Sequence, residues 1–206
     1  MLSDIVLIGY SGHGLVVGET AIEAGMPLKF YAEKKPVENN LFELDYLGFE
    51  GDDNFEGWSK PLVYILGIGD NHIRNAVALR ARQYNKLVVN VISLSANLSR
   101  HIDIGLGNFI AKNVVINTKA KLGDYCILNT GCIIEHECNL GNAVHVAPGA
   151  VIAGNVSIGD FSFVGANAVV KQGIKIGNNV TIGAGSVIIK DIPDNQTIVG
   201  NPGKAI

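Results

Sequence analysis

The chain has 206 residues, 48% of them hydrophobic and 17% charged, so it can bury one large core or two modest ones and is too apolar to be disordered. A net charge of −3 without any basic block excludes a nucleic-acid surface. No apolar run is long enough to cross a bilayer, and the opening Met-Leu-Ser-Asp lacks the basic region and cleavage site of a secretion signal, so a cytoplasmic protein with no membrane insertion is expected.

In chain order, residues 4–9 (DIVLIG) read as a buried strand ending in glycine. Residues 15–24 carry a helical pattern stopped by Gly25 and Pro27, and 28–31 form a second strand. Residues 33–60 are polar and irregular. Residues 62–66 form another apolar strand before the Gly67-Ile68-Gly69-Asp70-Asn71 loop. Helix signals run over 72–84, and 87–92 reads as the last strand of this half. Strands alternating with helices predict a small α/β domain with a parallel sheet over residues 1–95.

From residue 104 the pattern changes. Every sixth residue from Ile104 to Ile188 is Ile, Leu or Val, with no slip in phase. Four residues after each lies a mostly small residue, among them Ala120, Cys126, Cys132, Cys138, Ala150 and Ala168. Glycine recurs every eighteen residues at Gly105, Gly123, Gly141, Gly159 and Gly177. A six-residue period cannot be a helical seam, which needs 3.5 or 3.6 residues per turn. It fits a parallel β-helix whose hexapeptides each form one face of a triangular coil. The repeats predict about five coils within a domain over residues 96–206, with the large aliphatic residue inward, the small one beside it, and the eighteen-residue glycines at corners needing unusual φ/ψ.

Two chemical features stand out against this frame. Gly9-Tyr10-Ser11-Gly12-His13-Gly14 follows a strand and opens a helix, where backbone N–H groups can bind phosphate. Its glycines do not fall at the spacing of the dinucleotide fingerprint, and a strand-to-helix turn wants glycine in any case. His136 lies outside both inward phases and so projects from the prism wall, with Glu137 next to it. Imidazole is the natural base near neutrality, and a carboxylate stabilises its protonated form. Strict strand alternation would put the two side chains on opposite sides, so contact requires a corner between them. The bland reading is a pair of solvated surface residues. The three cysteines fall in the small inward phase, which predicts buried, protonated and inert thiols, no metal, and no acyl-cysteine route.

The repeat, together with Gly9–Gly14, Gly69–Arg74, the stretch Ile134-Glu135-His136-Glu137-Cys138 and the terminal Val199-Gly200-Asn201-Pro202-Gly203-Lys204, resembles the bacterial hexapeptide-repeat acyltransferases. Within them it resembles the sugar O- and N-acetyltransferases, including those acting on nucleotide-linked 4-amino sugars of the bacillosamine and perosamine type. The resemblance implies a left-handed helix, acetyl-CoA as co-substrate, and direct transfer with His136 as general base and Glu137 as its partner. It implies a nucleotide-sugar acceptor held by Ser11, Gly12, His13, Gly69 and Asn129. Glu33 is also expected there, although uridine-nucleotide relatives carry an acidic pair where this chain reads Ala32-Glu33. It places His145, Gly154, Ala166 and Ala184 against CoA, the last three along one edge, with Lys190 and Lys204 toward its phosphates, and it implies a homotrimer. Two other readings stay open: O-acetylation of a sugar such as a sialic acid, and a non-catalytic β-helix scaffold. A zinc hydratase on the same helix would need histidines spaced for metal, and only His136 and His145 lie in the helix proper.

Overall fold

A computed structural model describes residues 3–206. The N-terminal half is a four-stranded parallel sheet of β1 (Ile5–Ile8), β2 (Leu28–Ala32), β3 (Asp45–Tyr46) and β4 (Val63–Leu66), ordered β3-β2-β1-β4. Helix α1 (Gly12–Glu23) follows β1, and α2 (Asn71–Gln83) follows β4. The central β1 is buried along its whole length, as its unbroken apolar run requires in a parallel sheet covered on both faces. Asp70 caps α2, its carboxylate accepting from the Ile73 N–H at 2.9 Å.

The second half is a three-walled prism of two-residue strands. Each strand pairs in parallel with the one eighteen residues on, so Ile127–Leu128 sits between Phe109–Ile110 and His145–Val146. The first wall also contains Phe163–Val164 and Thr181–Ile182. The second runs from Val115–Ile116 through Ile133–Ile134 and Val151–Ile152 to Val187–Ile188, and the third from Asp103–Ile104 to Lys175–Ile176. The second residue of each strand fills the prism: Ile110, Ile116, Leu128, Ile134, Val146 and Ile152 are all fully buried. The small-residue phase is buried as well, its three cysteines included, so the two sequence periods mark the two inward positions of each face.

Three expectations change. The expected strand over 87–92 is split: Val88 bridges to Tyr64 at the sheet edge, whereas Val91–Ile92 is already the first rung of the prism, ahead of the expected boundary at 95/96. Ile92 and Leu98 keep the phase of the repeat, and Ile198 closes the far end on the first wall, so the prism makes six coils rather than five. The eighteen-residue glycines have a different cause from the one expected. Positive φ falls instead at every sixth residue from Gly107 to Gly185, including Tyr125, Glu137, Ala143 and Phe161. Gly105, Gly123, Gly141, Gly159 and Gly177 are glycine because a Cβ at each would strike the corner of the next coil. Along that same edge Asp124, Asn142, Asp160, Asn178 and Asp194 each accept from a backbone N–H one coil below, a ladder that fixes the stacking.

Outward side chains differ by wall. The third wall shows Asp103, Lys121, Asn139, Ser157 and Lys175, all polar. The first shows Phe109 and Ile127, both buried beneath the N-terminal domain. The second shows Val115, Ile133, Val151, Val169 and Val187, an apolar ladder on which Val169 is 40% exposed.

Candidate active site

Residues 69–74 climb the edge between the third and first walls and lock the two halves together. Arg74 is 1% exposed. Its Nε donates to the Tyr125 carbonyl at 2.7 Å and its Nη2 to the Ala143 carbonyl at 3.0 Å, one coil apart on the prism. The same Nη2 donates to Asn71 Oδ1 at 2.9 Å, and Nη1 donates to the Gly69 carbonyl at 2.9 Å. Asn71 Nδ2 then donates to the Phe161 carbonyl on the next coil, and the His72 ring stacks on Phe161 with 4.8 Å between centroids. No carboxylate touches the guanidinium among the described residues, and burial lowers its pKa to about 10. The sequence carried Arg74 only as part of a motif. Its role depends on carbonyls 51 and 69 residues away, which no local signal reveals.

This junction holds a histidine pair. His145 projects outward from the first wall, edge-on to Phe163 at 5.0 Å and 6.3 Å from the His13 ring. Burial first, then the Arg74 and His13 charges, lower its pKa to about 3, and burial lowers that of His13 to about 4. Both rings are therefore neutral near pH 7. Asn129 Nδ2 lies 3.4 Å from His145 Nε2. Asn129 thus stands beside His145 on the first wall. His13 Nε2 is buried without a hydrogen-bond partner.

Two cavities meet here. One, of about 550 Å³, runs across the carboxyl ends of the sheet strands and is lined by Ser11, Glu33, Glu50, Gly69 and Arg80. The other, of about 400 Å³, is lined by Asp70, His145, Phe161 and Phe163. Gly69 lines both. Of the expected acceptor residues, Ser11, Glu33 and Gly69 face the larger cavity; Gly12 lies beside it at the exposed start of α1, and His13 stands against the first wall near Phe109. Glu33 is partly engaged: one oxygen accepts from the Tyr10 N–H at 3.1 Å and the other from the Lys34 N–H at 2.9 Å.

His136 and Glu137 stand elsewhere, on the edge between the second and third walls, which is the edge opposite the first wall. His136 thus projects from a corner and not from the wall itself. Glu137 has φ 62°, and that left-handed residue is the corner that brings the pair together. His136 Nδ1 lies 3.3 Å from Glu137 Oε2. Lys119 Nζ donates to the other carboxylate oxygen at 3.4 Å, and hydrogen bonds from His136 and then Lys119 hold the carboxyl below its usual pKa. An ionised Glu137 favours the proton on Nδ1 and leaves Nε2 able to accept one.

Gly154 belongs to this site. It sits one coil above His136, and a Cβ there would lie 2.5 Å from the imidazole Cε1 and Nε2. The expectation that Gly154, Ala166 and Ala184 share one edge does not hold. Ala166 and Ala184 lie on the edge between the first and second walls, a whole coil apart, while Gly154 lies above the histidine on the next edge. The offset of twelve residues from 154 to 166 is two faces of a three-faced coil, which explains the split.

The cysteines are fully buried, and desolvation pushes the Cys126 and Cys132 thiols up to about 12. Cys126 donates to the Gly141 carbonyl and Cys138 to the Ala153 carbonyl, so both act as core donors. Among the described residues no cluster of His, Cys, Asp and Glu could hold a metal ion, and no helix is long and apolar enough to cross a membrane.

Residues 4–81 match the PglD N-terminal domain family, and 137–172 and 155–190 match the bacterial transferase hexapeptide family of six repeats. The structure superposes on the GDP-perosamine N-acetyltransferase of Caulobacter crescentus, solved with CoA and GDP-perosamine as a histidine-to-alanine variant. The TM-score is 0.93 at 30% identity, covering 100% of this chain and 98% of that one. The chain belongs to the hexapeptide-repeat sugar N-acetyltransferases. The acetyltransferase domain of PglB from Neisseria gonorrhoeae, solved with acetyl coenzyme A, matches with TM-score 0.93 at 29% identity over the whole of both chains. WeeI from Acinetobacter baumannii, at 23% identity with TM-score 0.89, covering 98% of this chain and 99% of that one, shares the fold. The enzyme's prism is accordingly the left-handed β-helix of this family.

Proposed function

We propose that the enzyme transfers the acetyl group of acetyl-CoA to the amine of a nucleotide-linked 4-amino-4,6-dideoxy sugar, with His136 as general base. The observation that carries this is the His136–Glu137 pair over Gly154: an exposed imidazole whose Nδ1 faces an ionised carboxylate and whose ring occupies space cleared by a glycine. The amine nitrogen attacks the thioester carbonyl and a C–N bond forms. Nε2 of His136 takes the amine proton, the C–S bond breaks, and the proton passes to the departing CoA sulfur. The buried cysteines offer no thiolate, which favours direct transfer in a ternary complex.

The nucleotide belongs in the larger cavity with its phosphates near Ser11 and Gly12 at the start of α1, and the sugar passes Gly69 toward neutral His145. His136 stands on the opposite edge of the same prism, so one chain does not unite base and acceptor. A cytoplasmic homotrimer does, if the edge of one subunit meets the cleft of the next. The uncovered apolar second wall is the surface such closed assembly would bury. Small residues such as Ala166 and Ala184 then line the groove for the pantetheine arm, with His145 near the thioester and Lys190 and Lys204 toward the phosphates.

The test is thiol release from acetyl-CoA with a panel of nucleotide-linked 4-amino sugars. His136→Ala is expected to lower kcat about 10³-fold while unfolding at the wild-type temperature. Full turnover in that variant, or release with sugar hydroxyls alone, sinks the assignment.

A further inference from the structure

Four strand ends present four groups to the larger cavity. In sheet order these are Glu50 after β3, Glu33 after β2, Ser11 after β1 and Gly69 after β4. Phosphates held at the glycine turn after β1 put the ribose one strand over, beside Glu33, where parallel sheets of this kind hold a ribose acceptor. Neighbouring strands lie about 4.8 Å apart, so the loop after β3 is about 10 Å from the phosphates, the reach of a nucleobase. Phe49 and Glu50 sit there, opposite Arg80 of α2.

Glu50 is unusual among the carboxylates. It is 7% exposed, and among the described residues no donor beyond its own backbone N–H reaches its carboxylate. Arg80 is turned away, to the Asp52 carbonyl at 3.5 Å and the Asp53 carboxylate at 3.6 Å. Burial, and then the Glu33 charge, raise its pKa. Its carboxylate lines the cavity and accepts from no other side chain, so a ligand's N–H groups can pair with it.

We propose that Glu50 is the base-reading residue of this cavity and selects a guanine nucleotide as carrier of the acceptor sugar. The proposal rests on the nucleotide reading above. Guanine alone among the common bases places two donors, N1–H and the 2-amino group, side by side to meet both oxygens of one carboxylate. Uracil and thymine offer one N–H between two carbonyls, which the carboxylate repels. Adenine and cytosine offer a donor beside an acceptor. The Phe49 ring, packed over Gly51 where no side chain would fit, is in place to contact the face of the base.

Calorimetric binding of GDP, UDP, dTDP and ADP to the full chain tests this, in the wild type, Glu50→Gln and Glu50→Asp, with thermal unfolding of each as the control for folding. The expected result is GDP bound at least about ten-fold tighter than the others. Glu50→Gln should lower GDP affinity about ten-fold or more and strengthen UDP binding by removing the repulsion, and Glu50→Asp should keep part of the preference. Equal binding of UDP or dTDP by the wild type, or an undiminished preference in folded Glu50→Gln, overturns the assignment alone. Failure of all four to bind overturns the nucleotide reading with it.

Discussion

His136 and His145 lie nine residues apart in one repeat, yet they stand in opposite environments. His136 sits on a corner, with its side chain 46% exposed and a single carboxylate partner. His145 sits on a strand beneath a second domain, near a buried guanidinium and another histidine, and its pKa falls to about 3. Three faces of six residues turn nine residues into one and a half faces, so the two rings leave opposite sides of the prism. One ring stands in solvent beside a carboxylate. The other stays neutral and can only donate or accept a hydrogen bond.

The junction that buries His145 is broken most directly at Arg74. Arg74→Met strands the Tyr125 and Ala143 carbonyls and is expected to cost about 3–5 kcal/mol, measured by urea unfolding. Any folded fraction should show, by NMR titration, a His145 pKa still lowered by burial but less so, because the Arg74 charge is gone.

Gly154→Ala sharpens the other side. The methyl displaces the imidazole, so kcat should drop about 10²-fold with acetyl-CoA affinity and unfolding temperature retained. A loss of acetyl-CoA binding instead would return Gly154 to the CoA groove.

Glu137→Gln keeps the corner but removes the charge that orients His136. A fall in kcat of about ten-fold is expected, and thiol-release assays would read it.

A separate effect is on pH. His13 and His145 bind fewer protons folded than unfolded between their folded values, about 4 and about 3, and the unfolded value of 6.5. Stability therefore rises with pH across that window and is lost on acidification, by at most about 1.4 kcal/mol per histidine per pH unit. Urea midpoints measured from pH 7 to pH 4 should fall, and a His13→Asn/His145→Asn double variant should flatten that slope.

The repeat was legible because a coil repeats one geometric demand. The large inward positions need no distant information: Leu128 is inward because Leu122 and Ile134 are. The buried cysteines, and a carboxylate beside His136 given a corner, follow from the same phase. Gly105 and its successors show where pattern fell short. Their period was visible, but whether φ or close stacking demanded glycine depends on what lies one coil above. Gly154 is the same case: its neighbour is eighteen residues away, and the family resemblance set it on one edge with Ala166 and Ala184.

By itself the sequence determined the prism, its inward phases, the α/β domain before it and the exposed histidine with a carboxylate next to it. Those are periodic or local properties, written in each residue's relation to near neighbours. Only the tertiary structure decided which edge each group occupies, that Arg74 joins the domains, and that Glu50 is buried at the wall of the cavity. These depend on carbonyls and side chains brought together from separate parts of the chain, where burial arises only once the halves are packed.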